Sequence, residues 1–154
     1  MSIYADIADR AVALQLEAVT GAMARPYFDF PGATFPYWTN RIGPSSYEHD
    51  SQDYQTETRR IIMRLVIAHL TGSYEGQSED VLSDYIEAVK RVFAQHPQLN
   101  SDTYPTVPTY TTATGAWIES DTGLQYFQTF LEGIFQVGIE FTLVVELYRE
   151  TNAE

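Results

Sequence analysis

The stretch Phe135-Gln136-Val137-Gly138-Ile139-Glu140-Phe141-Thr142-Leu143-Val144-Val145-Glu146-Leu147-Tyr148 decides the fold. Successive side chains of a strand point to opposite faces, so its period of two predicts one strand with a buried row, Phe135 through Leu147, and a wetter row carrying Glu140 and Glu146. At about 3.3 Å per residue the stretch spans roughly 46 Å. A chain of this size has a diameter of roughly 38 to 40 Å. The strand therefore reaches across the whole domain, and a strand of that length predicts a neighbour.

Working outward, Tyr126 to Leu131 reads as the other arm of a hairpin from a short strand Gly115 to Glu119, turned at Asp121-Thr122-Gly123. The Thr- and Pro-rich stretch Gln98 to Thr114 reads as a surface loop. Before it, Leu82, Tyr85, Ile86, Val89, Val92 and Phe93 recur at helical spacing, capped by Ser78 and stopped by Pro97, which predicts a helix from Ser78 to about Gln95. Thr58 to Leu70 is apolar on both faces and suits a central strand. Tyr37 to Ile42 reads as a short edge strand behind the aromatic, Pro-rich run that begins at Ala24, and the polar stretch Gly43 to Glu57 as a mobile loop or hairpin tip. At the start, Ile7, Ala11, Leu14 and Ala18 predict a helix over Ile3 to Met23, and its second apolar row, Val12, Leu16, Val19 and Met23, is broad enough to pack on more than the local sheet. The expected fold is a single α+β domain over residues 1–154. Its mainly antiparallel sheet has four to five strands, helices on one face and a long C-terminal strand.

Composition narrows the function. The 154 residues contain no cysteine, which removes disulfides, thiol nucleophiles and cysteine-ligated zinc. The formal charge is −12, from 21 acidic against 9 basic side chains, and such a surface repels phosphate. Residues 1–10 lack a basic leader with an apolar block, and no run of about 18 apolar residues occurs, so neither an export signal nor a membrane span is expected.

Catalytic patterns are sparse. His49, His69 and His96 stand too far apart in sequence for a local metal pair, and the acidic loop at Glu48, His49, Asp50 and Asp53 lacks the ligand spacing of a calcium loop. No phosphate-binding glycine loop or nucleophile elbow is present. Glu140 and Glu146 share a strand face about 20 Å apart, too far to act as acid and base on one bond. Neither catalytic residues nor a cofactor or metal are expected. The aromatic run has no interleaved basic residues and reads as a packed loop or a subunit contact, with Phe28, Phe30, Tyr37 and Trp38 as candidate interface residues. Tyr47, Glu48, Asp50, Asp53 and Tyr54 of the polar loop join that interface.

In its order of elements the chain resembles the tail terminator, or tail-completion, proteins of tailed bacteriophages. The likeness covers the leading helix Ile3 to Met23, the run Phe35-Pro36-Tyr37-Trp38-Thr39-Asn40-Arg41 into an edge strand, a polar loop, the strand Arg59 to Leu70, the helix Ser78 to Phe93 and a terminal hairpin ending at Tyr148. The resemblance implies a non-catalytic virion protein, assembled in the host cytoplasm. It forms a homo-oligomeric ring, typically a hexamer, that caps the tail tube and meets the head-completion proteins. DNA then slides past Glu140 and Glu146 in the lumen without being held. Two alternatives stay open. One is a head–tail connector or stopper; the other is a small cone-shaped α+β ligand-binding protein or enzyme, with Arg64, Asp84 and Tyr85 lining a pocket or Arg64 paired to Asp84.

Overall fold

The computed structural model describes residues 2–24, 35–49, 54–69, 75–128 and 135–150. Two helices, α1 (Ile3–Ala18) and α2 (Glu75–Gln95), accompany six strands: β1 (Met23–Ala24), β2 (Tyr37–His49), β3 (Tyr54–His69), β4 (Thr111–Asp121), β5 (Gln125–Gln128) and β6 (Phe135–Glu150). The strands form one strongly curled sheet in the order β1-β2-β3-β6-β4, with β5 also paired to β6. The short β1–β2 pairing is parallel and the others are antiparallel, so the sheet is mixed. The fold is α+β, with six strands where four or five were expected.

The closing strand is not an outlier of the sheet but its centre. β3 matches β6 along its whole length, from Tyr54 opposite Glu150 to His69 opposite Gln136. The whole length of β6 thus has a partner strand within the chain. On its other side β6 pairs first with β5 and then with β4, so these two form one interrupted strand. The expected β4–β5 hairpin does not exist. At Asp121-Thr122-Gly123 the Asp121 carboxylate accepts from the Gly123 N–H at 2.8 Å, and Thr122 N–H donates to Glu140 O at 3.0 Å. The turn chemistry is real, but it kinks an edge strand instead of reversing it.

Two further boundaries move. α1 stops at Ala18, not Met23, because Val19 turns extended and Met23 joins β1. β2 runs through the stretch expected to be a loop, with a register shift between Ile42 and Ser45 around Gly43-Pro44. Proline has no N–H to give, and an edge strand absorbs it as a bulge.

The core follows from alternation. Trp38 of β2, Ile61, Met63 and Leu65 of β3, and Ile139, Phe141, Leu143, Val145 and Leu147 of β6 point to one side. They meet Ile7, Ala11 and Leu14 of α1 and Leu82, Val89 and Phe93 of α2. The residues between them, Arg64 and Glu140 among them, point to the other side.

Candidate interaction surface

On the side of the sheet away from that core, Arg64 and Glu140 are direct cross-strand partners, with Arg64 Nε 3.2 Å from Glu140 Oε2. Arg41 of β2 approaches the same oxygen at 3.8 Å, and the Arg64 guanidinium lies 4.0 Å from the Phe127 ring centroid of β5. Arg60 grips Glu119 of β4 with two hydrogen bonds of 3.0 and 3.1 Å, which hold the Glu119 carboxyl below its ordinary pKa. Three of the 9 basic residues thus stand on one sheet face and offset its carboxylates.

This corrects the partner expected for Arg64. Its carboxylate is Glu140, not Asp84, which is exposed on α2, while Tyr85 packs against the core on the opposite side. Arg64, Asp84 and Tyr85 do not share a pocket. Glu140 itself is a strand-to-strand tie. Glu146 stands two positions from Val144 on the same row, opposite Thr58, and is half-buried.

The candidate interface residues divide. Tyr37 and Trp38 are buried within their own chain, Trp38 against Phe141 at 5.9 Å and Tyr37 stacked on Phe35 at 5.5 Å, so neither offers a surface to a neighbour. Tyr47 and Glu48 are exposed on β2, and Tyr54 opens β3. Phe28, Phe30, Asp50 and Asp53 lie outside the described residues.

The core side holds a polar cluster around Glu57, which the sequence reading left at the end of the polar loop. Glu57 is fully buried on β3 and accepts from the Tyr4 hydroxyl at 2.7 and 2.9 Å and from Arg59 Nε at 3.2 Å. Arg59 also donates to Gly43 O and to the Tyr47 hydroxyl, both at 3.3 Å, and its guanidinium lies 4.8 Å from the Tyr4 ring centroid. The signal was present as Glu57-x-Arg59, two charges on one face of a strand, once the strand is started early enough. Deeper in, Gln15 and Asn40 exchange amide hydrogen bonds of 2.6 and 3.1 Å, which tie α1 to β2.

Beside these ties a cleft of about 420 Å³ opens between α1 and β2, lined by Ala5, Ala8, Ile42 and Ile61 among others. Ile42 is 65% exposed although its row points to the core side. Ala5, Ala8, Val12 and Leu16 follow helical spacing along the same flank of α1, and Leu16 and Met23 are 42% and 43% exposed. Of the second row read in the leading helix, Leu16 and Met23 are exposed among the described residues, Val12 is half-buried and Val19 turns into the core.

Among the described residues no group of three or more histidines and carboxylates converges, and no helix is long and apolar enough to cross a membrane. Comparison with protein-family models and with curated protein sequences found no match.

Proposed function

We propose that the chain is a structural subunit of a ring at the neck of a tailed-phage virion, acting as a tail terminator between the tail tube and the head-completion proteins. The observation that carries this reading is the sheet. Its two long inner strands, β3 and β6, are flanked on both sides; among the described residues β2 is paired on its outer side only at Tyr37 and Trp38, by β1, and β4 has no strand on its outer side. Long antiparallel strands with both helices on one side leave two lateral edges for other copies, a plan that suits a closed ring. The charge of −12 suits a lumen through which DNA must slide. In that lumen the candidates are Glu140, which Arg64 and Arg41 approach, and Glu146 on the same strand row. No catalytic role and no cofactor enter this reading.

Light scattering and native mass at rising concentration, alone and with tail tubes, followed by negative-stain imaging, test it. Ring particles are the expected result. A monomer under all those conditions removes the ring, and binding to connectors without tail tubes favours the stopper alternative. Glu146→Lys is expected to keep the fold and lower particle infectivity. Unchanged infectivity removes the lumen role of Glu146.

A further inference from the structure

We infer that residues 97–110, between α2 and β4, form a releasable strap: its ends are pinned to the sheet, one guanidinium of α1 holds its middle, and it opens while the sheet stays paired. This is independent of the ring reading. The ends are fixed through the backbone. Ala116 N–H donates to Pro97 O at 2.7 Å and Tyr148 N–H to Tyr110 O at 2.8 Å, so one end is tied to β4 and the other to β6. The first approach is close enough that a Cβ on Gly115, where φ is +72°, would stand 2.0 Å from Pro97 O.

Between those pins the backbone bonds are local. Leu99 N–H donates to His96 O at 3.0 Å, Ser101 N–H to Tyr104 O at 2.9 Å and Tyr104 N–H to Ser101 Oγ at 3.1 Å, while Pro105 and Pro108 have no N–H to give. The middle is tied down by α1. Asp6, Arg10 and Glu17 recur at i, i+4 and i+11, which is one helical face, and all three meet the strap or its root. Arg10, 7% exposed, donates from Nη1 to Leu99 O at 3.2 Å and to Thr106 O at 2.7 Å. Its Nε donates to Asp6 at 3.0 Å, and its guanidinium lies 5.4 Å from the Tyr104 ring centroid. Asp6 in turn accepts from the Tyr110 hydroxyl, and Glu17 Oε1 stands 3.8 Å from His96 Nε2 at the root.

Local strain opposes closure. Leu99 has a φ of +56°, in the left-handed region that side chains disfavour, yet its side chain is fully buried in the core. That burial and the two carbonyl bonds from Arg10 hold the strap against the strain, and all are given up together when 99–106 lifts. The bonds at Pro97 and Tyr110 are not, so β4 and β6 keep their ladder. A stretch with few ladder bonds and side-chain ties is the kind that opens below the cost of global unfolding.

Native-state hydrogen exchange on the full chain tests this. The Leu99, Ser101 and Tyr104 amides are expected to exchange through an opening that is flat in low urea, whereas ladder amides of β3 and β6 follow global unfolding. Arg10→Gln is expected to speed the strap amides about tenfold or more, since it removes hydrogen bonds from a charged donor. If that variant does not fold, Tyr104→Leu, which removes only the stacked ring, replaces it with about a threefold gain expected. Ile139→Val, in the core of β6, is the counter-test: it is expected to speed the β3 and β6 amides and leave the strap amides unchanged. Strap amides that follow urea as β6 does, or that speed up with Ile139→Val, overturn the proposal, because the strap then opens only with the whole domain. Strap exchange unchanged by the α1-side variant overturns it as well.

Discussion

At the scale of single residues, Glu57 is the side chain on which the fold depends most. A buried carboxylate is costly unless its charge and lone pairs are satisfied, and here one phenol and one guanidinium satisfy it. Removing one member of a buried ion pair strands the other. Glu57→Gln is therefore expected to lower unfolding stability by about 3 kcal/mol, read from the urea midpoint, since Arg59 keeps Gly43 O and Tyr47 as partners. Tyr4→Phe removes only hydrogen bonds to the charge and is expected to cost about 1.5 to 3 kcal/mol. A larger loss for Tyr4→Phe than for Glu57→Gln would mean that the phenol hydroxyl, not the carboxylate charge, organises the cluster.

A second residue titrates into view at high pH. Burial first, and then the hydrogen bond its hydroxyl gives Asp6, hold the Tyr110 phenol well above its ordinary 10.0. The folded state thus keeps a proton that the unfolded chain releases near pH 10. The contribution is complete below that pH and is lost as pH rises above it. Tyr37, raised chiefly by burial, adds a loss in the same window. Wild type is expected to lose stability from about pH 10 upward, and Tyr110→Phe to lose less of it, by thermal melts between pH 8 and 11. Parallel curves for the two proteins would exclude Tyr110 as the source.

At the scale of elements, the β3–β6 pairing is the part that a substitution can most directly break. A Cβ built on Gly138 would stand 2.1 Å from the Leu65 carbonyl oxygen, a backbone atom that cannot swing away. At Gly123 the φ of +67° is unusual for other residues, yet a Cβ there would meet nothing within 4 Å. Gly138→Ala is expected to cost about 3 kcal/mol or more by forcing the central strands apart, and Gly123→Ala about 1 to 2 kcal/mol of backbone strain. Equal costs in urea unfolding would show that the strands can part without loss.

The same elements explain what the sequence made legible. β6 and the middle of β3 bury a full row, so their period of two was plain, and α2 showed its core face for the same reason. β2 was half hidden because an edge strand with Ser45, Ser46 and Glu48 in contact with solvent has a loop's composition, and Pro44 at a bulge reads as a breaker. β4 and β5 were assigned to each other because a turn motif fixes local geometry, whereas strand order depends on distant partners. For the site, the charges on β6 were visible, but the approach of Arg41 and Arg64 to Glu140 needed the register. Glu57 was missed for want of four residues at the start of β3.

At the scale of the whole molecule, charge and apolar surface oppose each other in assembly. Two copies carrying −12 each, about 40 Å apart in unscreened water, repel by about 15 kcal/mol. One Arg41–carboxylate contact returns only about 1 kcal/mol at the same dielectric. The global repulsion dominates the local attraction, so in the proposed ring a contact between copies rests on apolar surface, and Ile42, Leu16 and Met23 are exposed apolar side chains that can supply it. Screening removes the larger of the two electrostatic effects first. The Debye length falls from about 30 Å at 0.01 M salt to about 8 Å at 0.15 M, well inside the separation of the two charge centres. Light scattering across that range is expected to show the assembled fraction rising with salt, and Ile42→Asp is expected to stay unassembled throughout. Assembly that weakens with salt instead would mean that the arginines, not apolar surface, hold the copies together.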